Sequence, residues 1–223
     1  MKRFPVTVLD NFYENPDLVR QFALSLDYNT DPEGRWPGKR SLPLHEVNQS
    51  FFGTFCDKIF NLFYELEYGS VGYNVCTNFQ YIPNYSENPD SKLNGGWIHQ
   101  DVECVFSGVI YLNPNPQENT GTNIYSQIDK NIVSSISEKY KLYKGKEPVD
   151  EFEYTQQILE NNSNFEETIN IKNVYNRMIL FEGGVYHGVQ SLYSSLEPRL
   201  TQAFFVYKVV GGSRYPVVRS KVR

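Results

Sequence analysis

The chain has 223 residues, 40% of them hydrophobic and 15% aromatic, enough for one sizeable core of the kind that β sandwiches and barrels build as a single unit. A formal charge of −5 and a pI near 5.3 argue against bulk electrostatic binding of nucleic acid, and Arg214, Arg219, Lys221 and Arg223 near the end of the chain read as a solvated tail. Three widely spaced cysteines, Cys56, Cys76 and Cys104, suggest a reducing compartment rather than a disulfide framework, with Cys76 and Cys104 expected as small core residues.

In chain order, Val6-Thr7-Val8-Leu9 reads as a short strand stopped by Asp10-Asn11. A helix is expected from Asn15, with Pro16 at its first position, Asp17 against the dipole, and Leu18, Val19, Phe22 and Leu26 as its apolar stripe. Residues 28–44 read as a loop, in which the aromatic and basic residues of Trp36-Pro37-Gly38-Lys39-Arg40 are within reach of a substrate. A second helix is expected over roughly 46–67, where Phe52, Phe55, Ile59, Leu62, Phe63 and Leu66 recur at helical spacing before Gly69. The first seventy residues therefore read as a helical buttress.

From Tyr73 the pattern changes to strands. One is expected over 74–82, followed by a long polar loop over 83–96 that feeds into His99; loops of that length are often functional. Strands follow at 104–113 and 121–126. Residues 128–164 are charged, with helix-like pieces at 132–143 and 151–159, and read as an insertion rather than a second domain. Strands return at 168–174, 177–182, 184–190 and 199–209, with Gly183-Gly184 supplying a tight reversal. The expectation is one unit over 1–223: a mainly β fold, a double-stranded β-helix or jelly-roll core over 73–209, buttressed by helices at 1–70.

The chemistry starts at His99-Gln100-Asp101. Alternate residues of an extended segment point to one side, so an imidazole and a carboxylate are offered to one point. Of the other histidines, His45 lies in a polar segment, whereas His187 lies in the strand-like run Gly184-Val185-Tyr186-His187-Gly188-Val189. Two histidines and one carboxylate on one face of a metal leave three positions open, the arrangement expected of a non-haem Fe(II) oxygenase. A jelly roll brings such distant strands together around a pocket. Further on, Arg199 and Thr201 share a strand face. An arginine turned into an apolar barrel needs an anion, and a guanidinium grips a carboxylate through two parallel hydrogen bonds, to which Thr201 and Tyr111 add hydroxyls.

These stretches resemble the Fe(II)/2-oxoglutarate-dependent dioxygenases, in particular their prolyl-hydroxylase-like branch of bacterial and viral type. The resemblance covers roughly 73–209 and rests on His99-Gln100-Asp101, on Tyr111-Leu112-Asn113 with Gly121-Thr122, on His187 after Arg177-Met178-Ile179-Leu180-Phe181, and on Arg199-x-Thr201; Asp10-Asn11-Phe12-Tyr13 with Asn15-Pro16 is similar to the start of such proteins. It implies that His99, Asp101 and His187 ligate Fe(II), and that Arg199, Thr201 and Tyr111 hold 2-oxoglutarate, with Tyr81 as a further contact. It also implies O2 as co-substrate, ascorbate as an optional reductant, and hydroxylation of an unactivated C–H bond with release of succinate and CO2. A prolyl residue of a peptide or protein, or a small molecule, would be the acceptor. Two departures stand out: Thr120-Gly121-Thr122 replaces the family's Gly-Gly-Thr turn, and Phe205 stands where nucleic-acid demethylases carry a second arginine. Two alternatives stay open, a zinc-dependent hydrolase using the same triad and a non-catalytic jelly-roll binding module. No run of residues approaches a membrane span and the basic opening Met1-Lys2-Arg3 lacks a signal-peptide core, so the expected location is the cytoplasm, the host's if the source is viral.

Overall fold

The computed structural model describes residues 6–64, 66, 71–129, 139 and 151–211. Its large sheet carries seven antiparallel strands in the order β1 (Thr7–Leu9), β8 (Met178–Glu182), β5 (Phe106–Tyr111), β10 (Arg199–Val210), β4 (Gly72–Ile82), β3 (Lys39–Arg40) and β2 (Asn29–Thr30). A smaller sheet, β7 (Phe165–Ile171), β6 (Thr122–Gln127) and β9 (Tyr186–Val189), faces it. Strands adjacent in the large sheet are remote in sequence: β10 pairs with β4 on one side, Thr201 opposite Gln80, and with β5 on the other, Thr201 opposite Tyr111.

The two faces of this sheet have different tasks. On one, Phe79, Phe106, Leu200, Phe204 and Val206 pack with Phe12, Val19, Ala23, Phe55, Ile59 and Phe60 from the N-terminal segments. Phe55 lies 5.5 Å from Phe204 and Phe60 6.0 Å from Phe106, ring to ring. Burying each such ring contributes about 1.5–3 kcal/mol. On the other face, Arg199, Thr201, Ala203, Phe205 and Tyr207 of β10 look into a cavity of about 490 Å³.

Helix α1 (Pro16–Leu24) begins with Pro16 at its first position and buries Val19 and Ala23, although Asn15 makes no side-chain cap and Leu18 is exposed. The expected second helix is two: α2 (Leu44–Val47) and α3 (Gln49–Asn61), broken at Asn48, whose extended backbone stops the first and whose Oδ1 accepts from Phe51 N at 2.9 Å to cap the second. The apolar period runs across the break, which hides it from a sequence reading. The expected helical piece at 132–143 lies, apart from Lys139, outside the described residues; the second piece is α4 (Glu151–Asn162).

Gly183-Gly184 joins β8 to β9, which belong to opposite sheets, so this turn carries the chain across the sandwich rather than closing a hairpin. Gly183 is required there because a Cβ would strike the carbonyl oxygens of Cys104 and Asp101. All three cysteines are unbridged; Cys56 is the buried one, while Cys76 and Cys104, expected in the core, are half-buried and Cys104 lines the cavity. Among the described residues no helix is long and apolar enough to cross a membrane.

Candidate functional site

The segment carrying His99 and Asp101 lies along the free edge of β9. His99 N donates to His187 O at 3.0 Å and His187 N to His99 O at 2.9 Å, a single antiparallel bridge that sets the two histidines side by side. Asp101 N donates to Gly183 O at 2.9 Å. The other side of the segment is held by the end of α4: Ile98 N donates to Asn162 Oδ1 at 3.1 Å, Asn162 Nδ2 to Gly96 O at 2.8 Å, and Asn161 Nδ2 to Ile98 O at 3.0 Å. Two asparagine amides thus act as the missing neighbouring strand. They are positioning residues, and their place in a polar helix end gave no signal in the sequence.

Ligand atoms of His99, Asp101 and His187 all lie within 4.8 Å of one another. His99 Nε2 is 3.8 Å from Asp101 Oδ1, and His187 Nε2 is 3.6 Å from Asp101 Oδ2. Each Nδ1 meets a backbone carbonyl, Trp97 O at 2.8 Å for His99 and Val185 O at 3.0 Å for His187. A carbonyl can only accept, so each Nδ1 carries the proton and each Nε2 presents a lone pair to the centre of the triad. Ser107 Oγ donates to Asp101 Oδ2 at 2.6 Å, fixing the carboxylate.

Electrostatics agree with this geometry. Burial, helped by the positive charge of Lys139 and the neighbouring imidazole, holds His99 well below its ordinary range. Burial likewise lowers His187, against the pull of Asp101. Burial opposes ionisation of Asp101, but the two histidines, Lys139 and the Ser107 hydrogen bond outweigh it and keep the carboxyl below its usual value. Neutral imidazoles beside an ionised carboxylate form the donor set a divalent transition metal takes, on one face with the other open to the cavity.

Arg199 is 5% exposed. It donates to Thr120 O, and its guanidinium carbon stands 5.1 Å from the centre of the Tyr111 ring. Tyr111 is fully buried and donates to Thr122 Oγ1 at 2.9 Å, and Thr201 sits directly opposite it across the β5–β10 ladder. Burial lowers the Arg199 pKa while Tyr111 pulls it back up. No carboxylate of the described residues lies within 4 Å of this cation. Arg199, Thr201, His99, Asp101 and His187 line one cavity. Tyr81 is elsewhere: strand alternation sends Gln80 and Ile82 to the cavity and turns Tyr81 to the helix side, 5.8 Å from Tyr28, ring to ring. The expectation that Tyr81 touches a co-substrate therefore does not match its place.

Trp36, Pro37, Arg40, Lys139, Phe205 and Tyr207 also line the cavity. The loop 83–96 contributes little to it beyond Gly96. That loop is instead folded around the buried Asn94, which accepts from Tyr85 N and Ser86 N at 3.1 and 3.2 Å and donates to Ser86 O and Asn88 O at 3.0 and 3.1 Å.

A family described as "Family of unknown function (DUF6445)" matches residues 1–191. No curated protein matches the sequence. Among solved structures, HygX from Streptomyces hygroscopicus with nickel and 2-oxoglutarate bound superposes with a TM-score of 0.52 at 10% identity, over 91% of this chain and 83% of that one. HygX with nickel, 2-oxoglutarate and hygromycin B gives 0.53 at 11% identity over the same shares. A Pseudomonas putida prolyl-4-hydroxylase matches 90% of this chain and 91% of its own at 14% identity, with a TM-score of 0.44. At such identities the likeness is one of fold, and the fold is the one that HygX has.

Proposed function

This chain belongs to the DUF6445 family, a family of unknown function, and we propose that it is an Fe(II)- and 2-oxoglutarate-dependent oxygenase that hydroxylates an unactivated C–H bond. The observation that carries this reading is the pairing of two features in one cavity: a His99–Asp101–His187 triad with its lone pairs converging, and a buried Arg199 without a carboxylate partner among the described residues. A zinc hydrolase would use the first feature and leave the second without a task.

In this reading His99 Nε2, Asp101 and His187 Nε2 hold the metal, which supplies the redox chemistry and the O2 site when bound. Arg199 binds the distal carboxylate of 2-oxoglutarate, with Thr201 and the Tyr111–Thr122 hydroxyl pair around it. Trp97 O and Val185 O keep both imidazoles in the tautomer that presents Nε2, and Ser107 holds Asp101 in its ionised form. Phe181, whose ring centre is 4.2 Å from that of His187, and Val109 give the cavity dry walls, which protects a reactive centre from water. Succinate and CO2 are the proposed co-products, and ascorbate serves as a reductant if the metal is oxidised off-cycle. A prolyl residue of a peptide or protein is the acceptor that the sequence resemblance implies.

The test is anaerobic addition of Fe(II) and then 2-oxoglutarate. A weak visible absorption band that needs both supports the reading. No band, together with tight zinc binding and ester or amide cleavage, overturns it. Candidate acceptors are then screened by succinate release coupled to the acceptor's gain of one oxygen.

A further inference from the structure

Away from Arg199, toward Phe205 and Tyr207 on the same face of β10, the cavity carries charge that neither the metal nor 2-oxoglutarate uses. Arg40, at the end of β3, has its guanidinium between two rings, 4.3 Å from the centre of Trp36 and 5.1 Å from that of Phe205. The only hydrogen bond of its side chain among the described residues is a long one, Nη2 to Gln80 Oε1 at 3.4 Å, and its Nε is buried with no partner among them. Gln80 is itself held in place by Pro37 O at 2.9 Å. Arg40 thus rests against two rings while most of its donors are unspent among the described residues. Lys139 is 8% exposed and lines the same cavity. Neither cation has a carboxylate within 4 Å among the described residues. Arg35, at the rim, is different: Asp31 neutralises it at 2.8 Å.

Among the described residues the charges around the cavity do not balance. Arg40, Lys139 and Arg199 face Asp101 and, at the exposed edge, Glu103. A divalent metal and doubly charged 2-oxoglutarate cancel one another, so filling the inner end leaves the surplus where it was, on Arg40 and Lys139. Buried cations are disfavoured unless paired. Consistent with that, burial drives Lys139 down to about 8 and Arg40 to about 10, even with Asp101 pulling both upward.

We propose that Arg40 and Lys139 form the prime-substrate subsite, and that the substrate carries an anionic group, a carboxylate or a phosphate, gripped there while its remainder lies against Trp36, Phe205 and Tyr207. This deepens the oxygenase reading above and rests on it, since the anion would anchor the substrate in the same cavity as the metal triad. A guanidinium can give two parallel bonds to one acceptor group, and the ammonium adds a point charge. The wall is wide enough in chemistry to take a flat or apolar body beside that group.

The test uses protein loaded with Mn(II) and saturated with 2-oxoglutarate, titrated calorimetrically with benzoate, phenyl phosphate and the neutral benzamide. The proposal expects one of the two acids to bind and benzamide not to; which acid binds more tightly assigns carboxylate or phosphate. Arg40→Gln and Lys139→Met should each weaken that acid about tenfold or more, the usual loss for a charge-assisted hydrogen bond. Thermal melting checks that each variant is folded, and Lys139→Met carries the test alone if Arg40→Gln is not. Equal binding of benzamide, no binding of either acid, or acid affinity unmoved in a folded variant overturns the proposal. Failure of Mn(II) and 2-oxoglutarate themselves to bind would instead overturn the oxygenase reading.

Discussion

Strand β10 has one side chain in two committed to each of two different environments. Its even-numbered residues, Leu200, Phe204 and Val206, are buried against the N-terminal helices; its odd-numbered ones, Arg199, Thr201, Phe205 and Tyr207, face the cavity. Apart from the buried Gln202, which accepts from the Tyr13 hydroxyl and donates to Thr77 Oγ1, the helix face is filled by carbon against carbon and contributes stability without selectivity. The cavity face buries a guanidinium with no carboxylate partner among the described residues, which costs stability and gives a place for an anion. The same backbone therefore separates holding the fold from serving the site, and substitutions on the two faces should separate in what they change.

The largest effect is expected at the triad. Asp101→Ala should abolish the rise in Tm that Mn(II) gives the wild type, because two imidazoles alone are a weak divalent site; a preserved rise would place the metal elsewhere. On the opposite face, Phe204→Ala should destabilise the fold by about 3–5 kcal/mol by denaturant unfolding, with Mn(II) affinity of the folded fraction unchanged. Loss of both together would mean that the faces are not independent. Arg199→Gln should weaken 2-oxoglutarate by about 2–5 kcal/mol, the range for removing one partner of a buried charge pair, with Mn(II) affinity and the Tm of the metal-free protein retained. Equal loss of metal and co-substrate would make Arg199 structural.

Smaller effects test the supports. Asn162→Ala removes the clamp on Gly96 and Ile98 and should lower Mn(II) affinity about tenfold to a hundredfold, as for other groups that orient a ligand, without altering the ligands themselves. The smallest is pH-dependent. His99 and His187 have folded pKa values below 6.5. As pH falls through 6.5 the unfolded chain takes up protons that the folded chain refuses, so the metal-free protein loses stability, by at most about 1.4 kcal/mol per pH unit for each imidazole. Asp101, also depressed, adds a loss of the same sign below its unfolded value of 3.8. A melting temperature flat from pH 7 to 5 would contradict the buried, neutral imidazoles.

Comparing the faces also explains what the sequence made legible. Period-two alternation disclosed β4 and β10 and the shared face of Arg199 and Thr201, and His-x-Asp with a distant histidine pointed to the triad that the structure brings together. Alternation also decides Tyr81, since a residue flanked by the cavity-lining Gln80 and Ile82 must turn away. The break at Asn48 was hidden because apolar spacing is continuous across it. The crossing at Gly183-Gly184 was hidden because two glycines between strands signal a turn without saying which sheet the next strand joins. Arg40 comes from a segment read as a loop, and Lys139 from a helix-like piece read as part of an insertion. Trp36–Arg40 was legible only as aromatic and basic residues near a substrate, and only the fold places Arg40 between Trp36 and Phe205.

One crystallographic measurement bears on the central claim most directly: anomalous scattering from crystals prepared anaerobically with Mn(II) and 2-oxoglutarate. The account predicts a single manganese bound by His99 Nε2, Asp101 and His187 Nε2, chelated by the keto-acid end of 2-oxoglutarate, with the far carboxylate on Arg199. Manganese at any other set of residues, or a co-substrate whose far carboxylate lies away from Arg199, would contradict it.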